Sequence, residues 1–161
     1  MHLSELTAPE LIFPDLAGAD GESILRELTA KLAALGRVRK PERLLAALCE
    51  REAIGSTALG KGVAIPHCRV AGLSKLLVAV GLSRQGVDFA AEDGAPVRAF
   101  FVVISPQREA AEHLHCLAAI SKWVKNGCME RLFELDDAQE IYSLIDDSPA
   151  SNDPATGNGH G

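Results

Sequence analysis

The 161-residue chain has no apolar stretch approaching the roughly 18 residues of a membrane span, and its N-terminus lacks a signal-peptide pattern. The expectation is a cytoplasmic chain with no membrane insertion. A basic block is also missing: 16 Lys and Arg stand against 22 Asp and Glu, for a net charge of −6. That balance disfavours nucleic acid as a partner and leaves room for a protein with a basic docking surface. The cysteines Cys49, Cys68, Cys116 and Cys128 form no CxxC pair. In a cytosolic chain they read as reduced, small and mostly buried residues. There is no internal repeat, and no GxSxG elbow that would support a serine hydrolase.

What is present is an ordinary globular composition, 47% hydrophobic and 24% charged, at a length that predicts one domain. The first twenty residues read as a leader with Pro9, Pro14 and the short apolar piece Leu11-Ile12-Phe13. Helical spacing begins near Glu22 with Ile24, Leu25, Leu28, Leu32 and Leu35, and Gly36 supplies a stop. Pro41 suits the first turn of a second helix that buries Leu44, Leu45 and Leu48 and ends near Arg51. A glycine-rich loop over 55–62 leads to a short strand, Val63-Ala64-Ile65, and apolar runs at 76–82 and 99–104 predict two more. Glu92 to Pro96 is a turn between them. Pro106 is expected to open a long helix that stops at Gly127, with two short helices after it. The pattern predicts an α/β single-domain sandwich over residues 1–147, a central mixed β-sheet flanked by helices on both faces. The Ser-, Pro-, Asn- and Gly-rich segment 148–161 is expected to be a disordered tail.

The chemistry gathers between Glu52 and Cys68. Pro66 cannot donate to a sheet ladder, so it is expected to stop the strand and to set His67 at the mouth of the sheet. The preceding Gly55-Ser-Thr-Ala-Leu-Gly60-Lys61-Gly62 nearly spells a nucleotide phosphate loop. It fails on three points: Gly62 replaces the magnesium-binding hydroxyl, a helix precedes it instead of a strand, and a strand follows where a helix is required. What survives is an anion cradle, with glycines for close approach, Ser56 and Thr57 as hydroxyl donors and Arg51 as a planar fork suited to phosphate. The competing reading is a hairpin-like connection whose glycines serve backbone geometry. His113 shares an apolar helical stripe with Leu117, Ile120 and Val124, while His115 faces elsewhere. On its own, a histidine beside an apolar stripe is more often a satisfied core residue than a catalyst, and His113 gains interest only if it meets His67. No CxxC or HxxxH pair supports a metal site.

Arg51-Glu52, Gly55-Ser56-Thr57, Leu59-Gly60 and Val63-Ala64-Ile65-Pro66-His67-Cys68 together resemble the phosphorylation-site signature of the type-2 enzyme IIA family of the phosphoenolpyruvate-dependent phosphotransferase system. His113-Leu114 resembles the family's second, helix-borne histidine, and the likeness in element order runs from about Glu22 to Ile145. Two positions depart from the common pattern: Lys61 stands where asparagine is frequent and Cys68 where glycine is. The resemblance implies that His67 accepts a phosphoryl group on Nε2 from an HPr-type phosphocarrier, with no cofactor, nucleotide or metal. It implies that His113 bonds the phosphoryl oxygens or orients His67, that Arg51 binds the group, and that Ser56 and Thr57 cap it. With no IIB-like or IIC-like domain attached and His-Leu-His on its helix, the chain looks most like the nitrogen-regulatory branch. The implied partners are then regulatory proteins, those of potassium transport among them. The alternative is a transport component that passes phosphate to a fructose- or mannitol-type IIB.

Overall fold

The computed structural model describes residues 2–127 and 129–147; the expectations for Cys128 and for the tail 148–161 lie outside the described residues. Its elements are β1 (Ile12–Phe13), α1 (Gly21–Ala34), α2 (Pro41–Ile54), β2 (Ala58–Gly60), β3 (Val63–Ala64), β4 (His67–Val70), β5 (Leu77–Val87), β6 (Val97–Pro106), α3 (Ala110–Lys125), α4 (Met129–Glu134) and α5 (Ala138–Asp147). Among the described residues the strands form one mixed sheet ordered β1-β5-β6-β3-β2, with β4 also on β6. Pairs β5/β6 and β2/β3 are antiparallel; β1/β5, β3/β6 and β4/β6 are parallel.

Strand alternation sends the apolar runs to opposite sides. Val78, Val80, Leu82, Phe101 and Val103 pack with Ile120, Trp123, Leu132, Ile141 and Ile145 of α3, α4 and α5. Leu77, Ala79, Phe100, Val102 and Ile104 pack with Ile24, Leu28, Leu32, Leu44 and Leu48 of α1 and α2. The expected sandwich with helices on both faces is therefore the observed one. A sheet covered on both faces must be apolar on both, which is why β5 and β6 read as continuous hydrophobic runs. Among the described residues no helix is long and apolar enough to cross a membrane.

Three local expectations change. The leader is part of the fold: Leu3, Leu11, Ile12 and Leu16 are buried, and Ile12 and Phe13 pair with Val80 and Gly81 at the sheet edge. Pro9 opens a short 3-10 turn and Pro14 follows β1, and neither keeps the leader off the core. Pro106 closes β6, opposite Val70, and α3 starts only at Ala110. A residue with no N–H can end a ladder as well as begin a helix, and here the strand claims it.

The third change bears on the site. Pro66 does not terminate a strand; it interrupts one. Val63 and Ala64 pair with Ala99 and Phe100, and after Ile65-Pro66 the same register resumes with His67 on Val103 and Cys68 on Ile104. Pro66 loses its donor but its carbonyl still accepts from Val103 N–H at 2.9 Å. His67 is thus held inside the sheet, on the same face as Val63 and Ile65, which is the face that α3 covers.

Candidate active site

The glycine loop resolves into backbone geometry. Gly60 pairs with Val63, so Lys61 and Gly62 are the two central residues of a β2/β3 hairpin, with φ of 57° and 83°. Positive φ at both positions is the requirement of a type I′ turn, and Gly62 meets it without strain. Lys61 is held there by its N–H, which donates to Asp93 Oδ2 at 2.9 Å. The hairpin reading prevails for Gly60 and Gly62, and these two do not form an anion cradle.

Helix α2 runs three residues beyond its expected end, which puts Arg51 and Glu52 in its last turn. Arg51 Nη1 donates to the Gly55 carbonyl at 2.9 Å, and its Nε donates to His67 Nε2 at 3.3 Å. His67 Nδ1 lies 2.7 Å from the Ile65 carbonyl oxygen. A carbonyl can only accept, so Nδ1 carries the proton and Nε2 keeps its lone pair. The two contacts agree on one tautomer. Burial holds the pKa of half-buried His67 below its usual value; the Ile65 bond opposes this, the Arg51 charge adds to it, and the Glu52 carboxylate opposes it.

The hydroxyls are committed elsewhere. Glu52 accepts from the Thr57 N–H and from the Thr57 hydroxyl, both at 2.7 Å, and Thr57 is buried. Ser56 donates its hydroxyl to the Phe89 carbonyl at 2.6 Å and accepts from Ala58 N–H at 3.1 Å. Both residues border the cavity beside His67, but in this structure each hydroxyl hydrogen serves the loop. That cavity, about 260 Å³, is lined by Arg51, Ile65 and His67, by residues 56–59, and by Leu117 and Ser121 of α3. A larger one of about 390 Å³ shares Ser56, includes Glu52 and contains no histidine.

His113 comes to His67 from α3, with ring centroids 5.3 Å apart and planes tilted by 55°. It is buried, and its Nδ1 lies 2.6 Å from the Oγ of fully buried Ser105 on β6. Burial pushes its pKa down to about 4, helped by the neighbouring His67 and Arg69. Arg69, one pleat beyond His67, is exposed and donates to the Gln107 carbonyl at 3.2 Å. Among the described residues no cluster of three or more His, Cys, Asp or Glu could hold a metal ion. The free thiols of Cys68 and Cys116 are buried, which raises both to about 12.

The structure therefore brings Arg51, His67 and His113 together, and leaves Ser56 and Thr57 at the rim with occupied hydroxyls. Sequence reasoning missed Ser105, Ser121 and Arg69. Ser121 had a signal: it follows His113 by eight residues and so lies on the same helical stripe. Arg69 had one too, since it shares His67's parity on a strand. Ser105 had none, because only the docking of α3 on β6 makes it a neighbour of His113.

Comparison with known proteins bears on this geometry. The family model described as "Phosphoenolpyruvate-dependent sugar phosphotransferase system, EIIA 2" matches residues 5–148. A nitrogen regulatory protein of Bradyrhizobium diazoefficiens is 35% identical over 152 residues, covering 94% of this chain and 99% of that one. A fructose-specific EIIA component of Haloferax volcanii is 31% identical over 144 residues, covering 89% and 94%. The crystal structure of nitrogen regulatory protein IIA-Ntr from Neisseria meningitidis superposes with a TM-score of 0.80 at 29% identity, covering 88% of this chain and 97% of that one. The motif around His67, the mixed-sheet sandwich that carries it and a match over nearly the whole described chain agree. This protein belongs to the EIIA 2 family of the phosphoenolpyruvate-dependent sugar phosphotransferase system, and is one of its phosphotransferase components.

Proposed function

We propose that His67 is the phosphoryl acceptor, that it is loaded at Nε2 by an HPr-type phosphocarrier, and that the chain works as a nitrogen-regulatory, phosphorylation-state signalling protein. The observation that carries this is the pair of opposed contacts on one imidazole. The Ile65 carbonyl keeps the proton on Nδ1, and Arg51 Nε addresses the lone pair of Nε2. A ring held neutral, with its free nitrogen against a cation at the wall of a cavity, is a nucleophile already oriented.

In the step, the Nε2 lone pair attacks phosphorus as the P–N bond of the carrier's phosphohistidine breaks. The electron pair of that bond returns to the carrier imidazole, so one P–N bond replaces another. The His67 proton stays on Nδ1, donated to the Ile65 carbonyl, and leaves a positive ring beside the phosphoryl group. Phosphoryl transfer asks the protein mainly for in-line positioning and for charge on the three equatorial oxygens. Arg51 supplies that charge by shifting its donation from Nε2 to the incoming oxygens. His113 stays neutral at cytosolic pH and contributes a hydrogen bond without a competing charge. The bonds from Thr57 to Glu52 and from Ser56 to Phe89 hold the loop that frames the group, with Ser56 at its rim.

The donor must be a protein, and the surroundings suit one. Leu59, which lines the cavity, and Leu114, next to His113, are exposed, as is Ile54 at the end of α2, one turn beyond Arg51. The regulatory reading follows the nitrogen regulatory relatives and makes the targets regulatory proteins in the cytoplasm; that these include regulators of potassium transport rests on the family resemblance alone. The fructose-specific relative at 31% identity favours the second reading, transfer to a IIB component.

The test is incubation with phosphoenolpyruvate carrying a ³²P label, enzyme I and the carrier. Wild type takes up one phosphoryl group, assigned to Nε2 by NMR, and His67→Ala takes up none. Retained labelling in His67→Ala overturns the assignment. Adding candidate IIB proteins then separates the readings, since onward transfer argues against a purely regulatory output.

A further inference from the structure

Ser105 is outside every motif that pointed to function, yet its side chain is wholly buried and makes a 2.6 Å contact with His113 Nδ1. Which atom carries the proton in that contact decides what His113 can do. If Nδ1–H donated to Ser105 Oγ, Nε2 would be a bare lone pair, useless toward an anionic phosphoryl group. The serine hydrogen would then need another acceptor. Among the described residues Ser105 Oγ has no second hydrogen-bond partner, and a buried hydroxyl hydrogen left without one is unfavourable. The satisfied arrangement has the hydroxyl donating to Nδ1, which leaves the ring proton on Nε2.

Resting on the reading of His67 as acceptor, we propose that Ser105 is a positioning residue whose hydroxyl fixes the His113 ring and tautomer so that Nε2–H faces the phosphoryl group as a donor. The helix and the sheet both contribute. His113 comes from the first turn of α3, whereas Ser105 sits near the end of β6, opposite Arg69 on β4. The contact therefore ties the catalytic face of α3 to the strand pair that carries His67. Tautomer and ring angle are held from the second residue outward, as a carboxylate or carbonyl holds a metal-binding imidazole. Arg69 and His67 are the charged and titratable groups acting on His113 from β4, and both oppose its protonation. A neutral ring can offer a hydrogen on only one nitrogen, and Ser105 selects which.

The experiment uses the full chain. Long-range ¹H–¹⁵N NMR of the imidazoles in the unphosphorylated protein should show His113 with the lone pair on Nδ1 and the proton on Nε2. Ser105→Ala should shift the His113 Nδ1 signal and slow phosphoryl uptake from the carrier about tenfold at saturation, with KM for the carrier unchanged. That is less than the roughly 100-fold expected when a donor is removed outright. Ser105→Thr, which keeps the hydroxyl, should restore both, and it covers the case in which the alanine variant folds poorly. A proton on His113 Nδ1 in wild type overturns the proposal. So does Ser105→Ala transferring at the wild-type rate, or slowing with the His113 spectrum unchanged. The NMR result does not depend on phosphorylation, so it stands or falls separately from the His67 assignment.

Discussion

His67 and His113 lie 5.3 Å apart and are built in opposite ways. His67 belongs to a strand, and its Nδ1 is fixed within two residues by the carbonyl of Ile65 on the same strand path. His113 belongs to a helix, and its Nδ1 is fixed from another element by Ser105. The first is half-buried and accepts from Arg51; the second is buried, and its side-chain hydrogen bond among the described residues is to Ser105. Each ring is kept neutral by burial, but the bond on Nδ1 has opposite polarity in the two. A carbonyl makes the His67 Nδ1 a donor and frees Nε2 as a nucleophile. A hydroxyl makes the His113 Nδ1 an acceptor and frees Nε2–H as a donor. In the proposed transfer, two identical side chains become attacker and stabiliser through their partners alone, so the roles are not interchangeable.

The strongest way to break that asymmetry is to remove the donor and leave the attacker. His113→Ala should slow phosphoryl uptake about 100-fold, the usual range for one lost donor to transition-state charge. Uptake should still occur, and the label should still be found on His67. A variant as fast as wild type in a rapid-quench measurement would return His113 to the role of a core residue. A variant with no acceptor left would move the acceptor to His113 itself.

The next test uses pH and reads stability instead of rate. The folded pKa of His113 is about 4 against 6.5 for an ordinary histidine, so below pH 6.5 the unfolded chain binds a proton that the folded chain refuses. Stability contributed by neutral His113 is complete above pH 6.5 and is lost as pH falls from 6.5 toward 4. The loss should be on the order of 2 kcal/mol, since each tenfold difference in proton affinity between the two states is worth about 1.4 kcal/mol. Urea unfolding of wild type and His113→Gln at pH 7 and pH 4.5 checks it. Wild type should lose more on acidification, and parallel losses would show that the ring is not held neutral by burial.

How much of this was legible depends on the range of the interaction. The two-faced sheet and the helix starts near Glu22 and Pro41 are local patterns, and each was readable, whereas the resumption of the strand after Pro66 depends on its partner β6 and was not. Arg51 was readable as a planar cation beside the loop, but its contact with His67 was not, because periodicity did not show α2 continuing to Ile54. The burial of the leader was hidden because a two-residue parallel strand has no periodicity of its own. Ser105 was hidden for a stronger reason: its partner lies eight residues away across a strand-to-helix connection, and nothing in Val-Val-Ile-Ser-Pro marks that meeting. Ser56 and Thr57 were legible as hydroxyls near His67, but not as hydroxyls already bonded to Phe89 and Glu52.

The smallest expected effect lies on the strand side, at the hairpin beside His67. His67's approach is framed by the β2/β3 hairpin, and that hairpin turns through Lys61 at a φ of 57°. A left-handed conformation costs an ordinary L-residue roughly 1–2 kcal/mol, and asparagine tolerates it better. Lys61 is exposed, and the bond to Asp93 uses its backbone N–H, so a new side chain keeps that anchor. Lys61→Asn should therefore stabilise the fold by about 0.5–1 kcal/mol, read as a higher urea midpoint at unchanged slope. The His113 spectrum should not move, because Ser105 and α3 are anchored independently of the hairpin. If the spectrum moved with the midpoint, the two histidines would share one support, and their opposite roles would have to be explained by the hairpin as much as by Ile65 and Ser105.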